Sequence, residues 1–113
     1  MAPMPPERGA CFRVFTLPPG TEAETAADVD AVAAAFGGPG NLALSDEGVL
    51  LHRTDSLYVA TVVSGQAYLI VGTGETLLGP GDSFVLPGSL HTWRNPFGEA
   101  AVMACAVFPY APT

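Results

Sequence analysis

The sequence contains no lysine, and its four arginines stand against eleven carboxylates, which gives a formal net charge of −7 at pH 7. Such a charge repels phosphate backbones and anionic lipids, so we predict that the protein binds neither nucleic acid nor membranes. Long apolar runs are also missing: YVATVV and AVMACAVF fall far short of the roughly 20 residues of a membrane-spanning helix. The N-terminus MAPMPPERGA lacks the basic start and apolar core of a secretion signal. These absences predict a cytoplasmic protein.

Cysteine is scarce, and the common catalytic motifs are absent. Cys11 and Cys105 lie near opposite ends without a CxxC spacing, which predicts two reduced thiols with a structural role. The chain has no P-loop, no GxGxxG, no GxSxG and no HExxH. Nucleotide binding, serine hydrolase chemistry and zinc protease chemistry are therefore not indicated.

The composition that remains is that of one compact domain. Of the 113 residues, 49% are apolar and only 13% are charged, which argues against disorder over most of the length. Residues 1–10 are rich in proline and methionine without periodicity and are predicted to be a flexible arm. The domain is expected to occupy residues 11–113.

Most of the chain has the pattern of short β-strands. CFRVFTL is predicted to be a strand that ends at PPG, and residues 24–36 are predicted to form a helix, because acidic residues and alanines follow the candidate caps Thr21 and Thr25. From residue 49 onward, β-rich segments alternate with Gly, Pro, Asp and Asn. Seven or eight strands are expected, in an all-β sandwich or barrel.

The stretch GDSFVLPGSLHTWRN carries the most specific signal. A glycine and an aspartate precede an apolar run, a Pro-Gly turn follows, and a histidine and an asparagine come next. This order resembles the second motif of the cupin superfamily, here carried by Gly81, Asp82, Pro87, Gly88, His91 and Asn95. The resemblance implies a single-domain cupin jelly-roll β-barrel with one short N-terminal α-helix.

The first cupin motif, His-x-His followed by Glu and Gly, is only partly present. Counting back from Gly65 places His52 at the first histidine, Thr54 at the second histidine and Tyr58 at the glutamate. The stretch from 52 to 95 is nonetheless similar to a subgroup of small bacterial and fungal single-domain cupins, and the likeness extends over about residues 11–108. Tyr58 and Gln66 stand where that subgroup tends to carry Asp and Glu.

The resemblance implies that His52, Tyr58 and His91 point into the barrel as candidate catalytic residues. A divalent metal, zinc, iron or nickel, is the cofactor that the family implies, with the same three residues as candidate ligands, although the residues themselves leave open whether any cofactor binds. Arg53 and Arg94 are expected to face outward. Strand alternation predicts a substrate pocket lined by Thr54, Ser56, Gln66, Tyr68, Phe84 and Trp93.

Three functions remain open from these residues. The first is an enzyme that cyclises, isomerises or dehydrates an apolar or aromatic small molecule by His and Tyr acid-base chemistry or with weak metal assistance. Its setting in bacterial secondary metabolism, polyketide pathways included, is what the resemblance and the lysine-free, alanine-rich composition imply. The second is a metal-dependent cupin dioxygenase, and the third is a non-catalytic cupin that binds a small ligand. The resemblance also implies a homodimer, because cupins pair through strands at the barrel edge.

Overall fold

The computed structural model describes residues 9–23, 25–35, 41–45 and 48–109. Within these ranges the chain forms nine strands and one short α-helix, α1 (Val29–Ala35). The residues predicted to form a flexible arm lie almost entirely outside the described part. The strands are β1 (Cys11–Leu17), β2 (Leu42–Leu44), β3 (Leu50–His52), β4 (Ser56–Ser64), β5 (Ala67–Val71), β6 (Gly74–Leu78), β7 (Ser83–Pro87), β8 (His91–Arg94) and β9 (Ala101–Pro109).

The strands form two antiparallel sheets that face each other. The first sheet has the order β1-β9-β4-β7, and the second has the order β2-β3-β8-β5-β6. Consecutive strands often lie in different sheets, so the chain crosses repeatedly from one to the other, as in a jelly roll. The predicted all-β jelly roll with one short helix is confirmed.

The core lies between the sheets because each strand turns alternate side chains inward. β9 shows this most clearly, since Ala101, Met103, Cys105 and Val107 are buried and the residues between them are not. Val62 of the first sheet and Leu69 of the second pack into the same apolar cluster. At one end of this interior, polar residues replace apolar ones, and the candidate site lies there.

The helical segment is shorter than the predicted helix over residues 24–36. A 3-10 turn, Ala26–Asp28, precedes α1, and residues 24 and 36 lie outside the described part. The Asp28 carboxylate accepts a hydrogen bond from the backbone N–H of Thr25 at 2.8 Å, and the Asp28 N–H donates to the Thr25 carbonyl at 2.9 Å. Thr25 is therefore the capping position. No helix in the described ranges is long and apolar enough to cross a membrane.

Two strands differ from the sequence prediction. β2 has only three residues and was not predicted. The β-rich stretch VLLHRTDSLYVATVVSG, residues 49–65, is interrupted at Arg53–Asp55, so that β3 belongs to the second sheet and β4 to the first. This break lets one continuous stretch of sequence contribute residues to both walls of the interior.

The turn between β4 and β5 changes which residues face inward. The pairing of β4 with β9 shifts by one residue between Val62 and Ser64, and Gly65 then takes a positive φ of 74°. A Cβ at Gly65 would collide with the carbonyl oxygen of Ala100, so this turn requires glycine. Strict alternation counted through such a bulge predicts the wrong face downstream.

The predicted lumen positions of Gln66 and Tyr68 are therefore wrong. Gln66 is exposed at the turn. Tyr68 lies on the outer face of the second sheet, where its ring stacks on Phe97 with centroids 5.9 Å apart. The Arg94 guanidinium lies 4.2 Å from the centroid of the same ring. The inward positions of β5 are taken by Ala67 and Leu69 instead.

Candidate functional site

A cavity of about 190 Å³ lies between the two sheets. The first sheet contributes residues from β1, β4 and β9, the second contributes residues from β3 and β8, and the loop after β3 adds one more. Most of the predicted site residues meet here. The lining residues are Arg13, Phe15, His52, Thr54, Tyr58, His91, Trp93 and Cys105.

The two histidines form a cross-strand pair. His52 ends β3 and His91 begins β8, and they are direct partners in the ladder between these strands. Their ring centroids lie 4.7 Å apart with the planes tilted by 59°. Both residues are buried, with exposed fractions of 8% for His52 and 6% for His91. The pairing explains how two histidines 39 positions apart in sequence reach the same cavity.

Burial keeps both imidazoles neutral. Desolvation, with a smaller contribution from His91, lowers the pKa of His52 from 6.5 to about 4. Desolvation also lowers the pKa of His91, and the hydrogen bond to the backbone of Ser89 offsets part of this effect. At neutral pH the pair therefore offers lone pairs on nitrogen rather than positive charge.

The tautomer of His91 follows from its hydrogen bond. Its Nδ1 lies 2.8 Å from the carbonyl oxygen of Ser89. A carbonyl oxygen only accepts hydrogen bonds, so Nδ1 of the neutral ring carries the proton and donates it. The lone pair is then on Nε2, which is the basic atom of His91.

Tyr58 lies opposite the histidines, on the inner face of β4. Its ring centroid is 6.5 Å from that of His91, with the planes inclined at 68°. Burial raises the pKa of Tyr58, although hydrogen bonding to Thr54 and Ser56 and the charge of Arg13 lower it in part. Thr54 and Ser56 are themselves buried and hydrogen-bonded to each other. Tyr58 is therefore a neutral phenol at physiological pH and able to donate a proton.

Aromatic rings form the apolar walls. Phe15 of β1 and Trp93 of β8 line the cavity from opposite sheets, with ring centroids 6.3 Å apart in an edge-to-face arrangement. Phe84 packs against Trp93 at 5.3 Å and belongs to the hydrophobic core. Phe84 thus supports a wall of the cavity without lining it, which corrects its predicted place in the pocket. Ser56 likewise lies beside the cavity, in a small adjoining space near Leu86.

Arg13 and Phe15 are lining residues that the sequence analysis did not identify. Both project inward from β1, on the same face as Cys11 and Leu17. Arg13 is half-buried and is the ladder partner of Cys105 on β9. Burial raises the pKa of the Cys105 thiol, while the positive charge of Arg13 lowers it in part. Alternation in CFRVFTL places Arg13 and Phe15 on the same face of β1 but does not say which face is inward, so the sequence carried no signal that would have found them.

The second-motif asparagine has a structural role. Asn95 is completely buried. Its side-chain amide donates to the carbonyls of Leu17 and Glu99 at 3.1 and 3.0 Å, and its side-chain oxygen accepts from the Phe97 N–H at 3.0 Å. Asn95 thereby ties the end of β8 in the second sheet to the end of β1 in the first sheet and to the loop before β9.

The remaining arginines of the described residues face outward, as predicted. Arg94 forms an ion pair with Glu75 at 2.9 Å on the outer face of the second sheet. Arg53 forms a longer pair with Asp55 at 3.7 Å. Neither arginine lines the cavity between the sheets.

The donor set does not fit a resident metal ion. Protein sites that hold zinc or iron tightly use three or four nitrogen, sulfur or oxygen ligands. Across residues 9–109, apart from the undescribed gaps, no three His, Cys, Asp or Glu side chains are placed to share one ion. Tyr58 is a poor third ligand because burial opposes its deprotonation.

Comparison with curated proteins finds similarity over less than half of the chain. A 50-residue stretch is 38% identical to a cupin-domain-containing oxidoreductase, srdB, of Neurospora crassa, covering 43% of this chain and 26% of that protein. A 47-residue stretch is 40% identical to each of two phomopsin biosynthesis cluster proteins, C' and D, of Diaporthe leptostromiformis, covering 41% of this chain and 25% of each relative. The chain spans about a quarter of the length of the curated relatives it matches. No family model matches it.

Solved structures resemble the chain over nearly its whole length. A sugar phosphate isomerase of the cupin superfamily from Silicibacter pomeroyi aligns with a TM-score of 0.55 and 15% identity, over 92% of this chain and 51% of that one. A cupin-2 domain from Rhodospirillum rubrum aligns with a TM-score of 0.55 and 20% identity, over 96% and 60%. The Cupin_2 domain of an XRE family transcriptional regulator from Enterobacter cloacae aligns with a TM-score of 0.51 and 15% identity, over 90% of this chain and 83% of that one. At these identities the likeness bears on the fold alone.

Proposed function

We propose that this chain, which has the cupin fold, is an enzyme that transfers protons on an apolar or aromatic small molecule held between its two sheets. Cyclisation, isomerisation and dehydration all depend on such transfers. One observation carries the proposal: two neutral imidazoles and a protonated phenol share a cavity with two aromatic walls. Groups that accept and donate protons thus border the same enclosed space.

His91 is the proposed general base. Its Nε2 carries the lone pair, because Nδ1 is committed to the Ser89 carbonyl. This hydrogen bond also fixes the orientation of the ring and stabilises the imidazolium that forms when Nε2 takes a proton. His52, whose pKa is about 4, stays neutral and raises no competing positive charge beside His91. Nε2 of His91 is therefore unprotonated at neutral pH and able to accept a proton.

Tyr58 is the proposed general acid or oxyanion partner. Its raised pKa keeps the hydroxyl protonated until negative charge develops on a substrate oxygen. Hydrogen bonding to Thr54 and Ser56 positions the hydroxyl and offsets part of the rise in its pKa. Phe15 and Trp93 would bind a flat or branched apolar body between the acid and the base.

Secondary metabolism is the proposed setting. Two of the curated relatives are named for a biosynthesis cluster, and the third is named an oxidoreductase. A metal-dependent dioxygenase, the first alternative from the sequence, is disfavoured by the missing carboxylate ligand. A non-catalytic binder, the second alternative, would use the same cavity and is distinguished by the experiment below.

A homodimer is part of the proposal, and the surface that supports it is the outer face of the first sheet rather than the strand edge that the resemblance implied. One row across all four strands consists of Phe12, Ala106, Val59 and Val85, in register. Phe12 is 73% exposed and Val85 is 57% exposed. The large apolar side chains of this face expose on the order of 500 Å², the upper range for a monomer. A second copy on the same face would bury about 1,000 Å² in total, near the lower limit for a specific interface.

Proton exchange into deuterated water tests the function. The full chain would be incubated in D2O with a set of enolisable aromatic ketones and acids, and NMR would follow the loss of the exchangeable C–H signal. We expect exchange above the buffer rate, reduced about 100-fold or more by His91→Gln and by Tyr58→Phe. Tyr68→Phe is the matched control, since Tyr68 lies on the outer face.

The result that overturns the proposal is binding without exchange. Resonances of the cavity residues would then shift on addition of the compounds, while the C–H signals persist at the buffer rate. That outcome would assign the protein to the non-catalytic binders. Tyr58→Phe removes one hydroxyl only, so its effect is read from a folded protein even where His91→Gln is unstable.

A further inference from the structure

We infer that Arg13 binds the carboxylate of the ligand, so that the cavity takes an apolar or aromatic monocarboxylate. This inference rests on the proposed function, because it names the substrate class of the same cavity. It adds a specificity-determining residue that neither the cupin motifs nor the acid-base residues contain.

The first reason is the position of Arg13. β1 turns Cys11, Arg13 and Phe15 inward and leaves Phe12 and Val14 on the surface. A strand that exposes phenylalanine at 73% and valine at 61% while it turns an arginine inward reverses the usual preference. Placing a guanidinium between the sheets has a desolvation cost, which a bound anion would offset.

The second reason is charge. Arg13 is the one charged side chain among the lining residues, since both histidines are neutral and Tyr58 and Cys105 are protonated. Within the described ranges, Arg53 and Arg94 each form an ion pair with a carboxylate, whereas Arg13 forms none. The cavity therefore presents a single positive charge in a protein whose net charge is −7.

The third reason is the match of shape and size. A guanidinium presents N–H donors in a planar fork that suits the two oxygens of a carboxylate. An engineered apolar cavity of about 150 Å³ accommodates benzene. The cavity here measures about 190 Å³, which suits one ring or a short branched chain bearing a carboxylate. Phe15 and Trp93 provide the apolar surface for that body.

The position of Arg13 also suits the proposed chemistry. Arg13 and Tyr58 lie on the inner face of the first sheet, and His52 and His91 come from the second. A carboxylate held at Arg13 would leave the rest of the ligand between the phenol and the imidazoles. Pairing with the guanidinium neutralises the carboxylate, which makes removal of a proton from a neighbouring carbon by His91 less costly.

Ligand titrations followed by two-dimensional NMR test the inference on the full chain. The probes are benzoate, benzamide, which has the same shape without the charge, and phenyl phosphate. We expect benzoate to bind about ten-fold more tightly than benzamide, as one charge-assisted contact implies. Arg13→Met should remove that preference, since methionine keeps much of the length without the charge. Arg94→Met is the matched control and should keep the preference.

The outcomes separate this inference from the proposed function. Equal affinity for benzoate and benzamide, or a preference that survives Arg13→Met, would overturn the role of Arg13 and leave the aromatic cavity intact. Tighter binding of phenyl phosphate than of benzoate would replace the carboxylate with a phosphate. Failure of both benzoate and benzamide to shift any cavity resonance would overturn the proposed function together with the inference.

Discussion

Acid should destabilise this protein at an unusually high pH, because His52 is buried in its neutral form. The unfolded chain binds a proton at His52 near pH 6.5, whereas the folded chain does so only near pH 4. The unfolded state therefore holds more protons between these values, and stability falls as the pH falls through this window. At about 1.4 kcal/mol per pKa unit, the full loss is about 3 kcal/mol, of which about 2 kcal/mol is lost by pH 5.

Urea unfolding of the wild type and of His52→Gln at pH 8, 7, 6 and 5 measures this contribution. Glutamine is polar and does not titrate, so the variant should lose about 2 kcal/mol less than the wild type between pH 8 and pH 5. Tyr68→Phe serves as the control, because it changes no group that titrates in this range and should follow the wild type. The lowered pKa of His91 acts in the same direction and remains in both proteins.

If the free energy of unfolding changed with pH by the same amount in the wild type and in His52→Gln, the reasoning would be refuted. Such a result would mean that His52 has the same pKa in the folded and unfolded chains. An NMR titration of the His52 ring proton gives a second reading, and a midpoint near 6.5 would contradict the structure. The same titration in His91→Gln should show a higher pKa for His52, because the electrostatic contribution of His91 is removed.

Two further predictions concern partners. Analytical ultracentrifugation at micromolar concentration should show a dimer, and Val85→Glu should lower the dimerisation affinity at least about ten-fold. Thr76→Glu, on β6 of the other sheet, is the control and should leave the affinity unchanged. A monomeric wild type would refute the interface. Elemental analysis of protein purified without chelator or a metal-affinity tag should find well below one zinc, iron or nickel ion per chain, because no three His, Cys, Asp or Glu side chains of the described residues are placed to share one ion. Stoichiometric metal that is lost in both His52→Ala and His91→Ala would instead establish a metal site.

Much of the cavity lining was predictable from motif positions. His52 and His91 follow from the two cupin-like motifs, and Tyr58 stands at the position of a family ligand. Thr54 and Trp93 follow from two-residue alternation beside these histidines, and both line the cavity. The positions of these residues at the cavity could be predicted because motif spacing reflects turns and strand starts, which are local features of the chain; their roles in catalysis stay a proposal.

The failed predictions all required knowledge that is not local. Gln66 and Tyr68 were placed in the lumen by counting through residues 58–66, and a bulge with a glycine turn in that stretch reverses the count. Phe84 has the correct inward direction, yet it packs against Trp93 and the hydrophobic core and does not line the cavity. Alternation predicts a face only as far as the strand stays regular, and it does not predict which inward residue reaches open space.

The sequence by itself determined the fold class, the arrangement of short strands and the two histidines and one tyrosine of the proposed chemistry. Hydrophobic periodicity and turn residues are sufficient for the strands, because they depend on neighbours along the chain, and the resemblance to the two cupin motifs implied the jelly roll and the three site residues. Only the tertiary structure decided the face of β1. Alternation in CFRVFTL is compatible with either orientation, and packing against β9 and the second sheet turns Arg13 and Phe15 into the cavity and leaves Phe12 and Val14 outside. The position of the Arg13 charge thus depends on contacts between residues about 90 positions apart, such as Arg13 and Cys105. A pattern of neighbouring residues in the sequence does not predict such contacts.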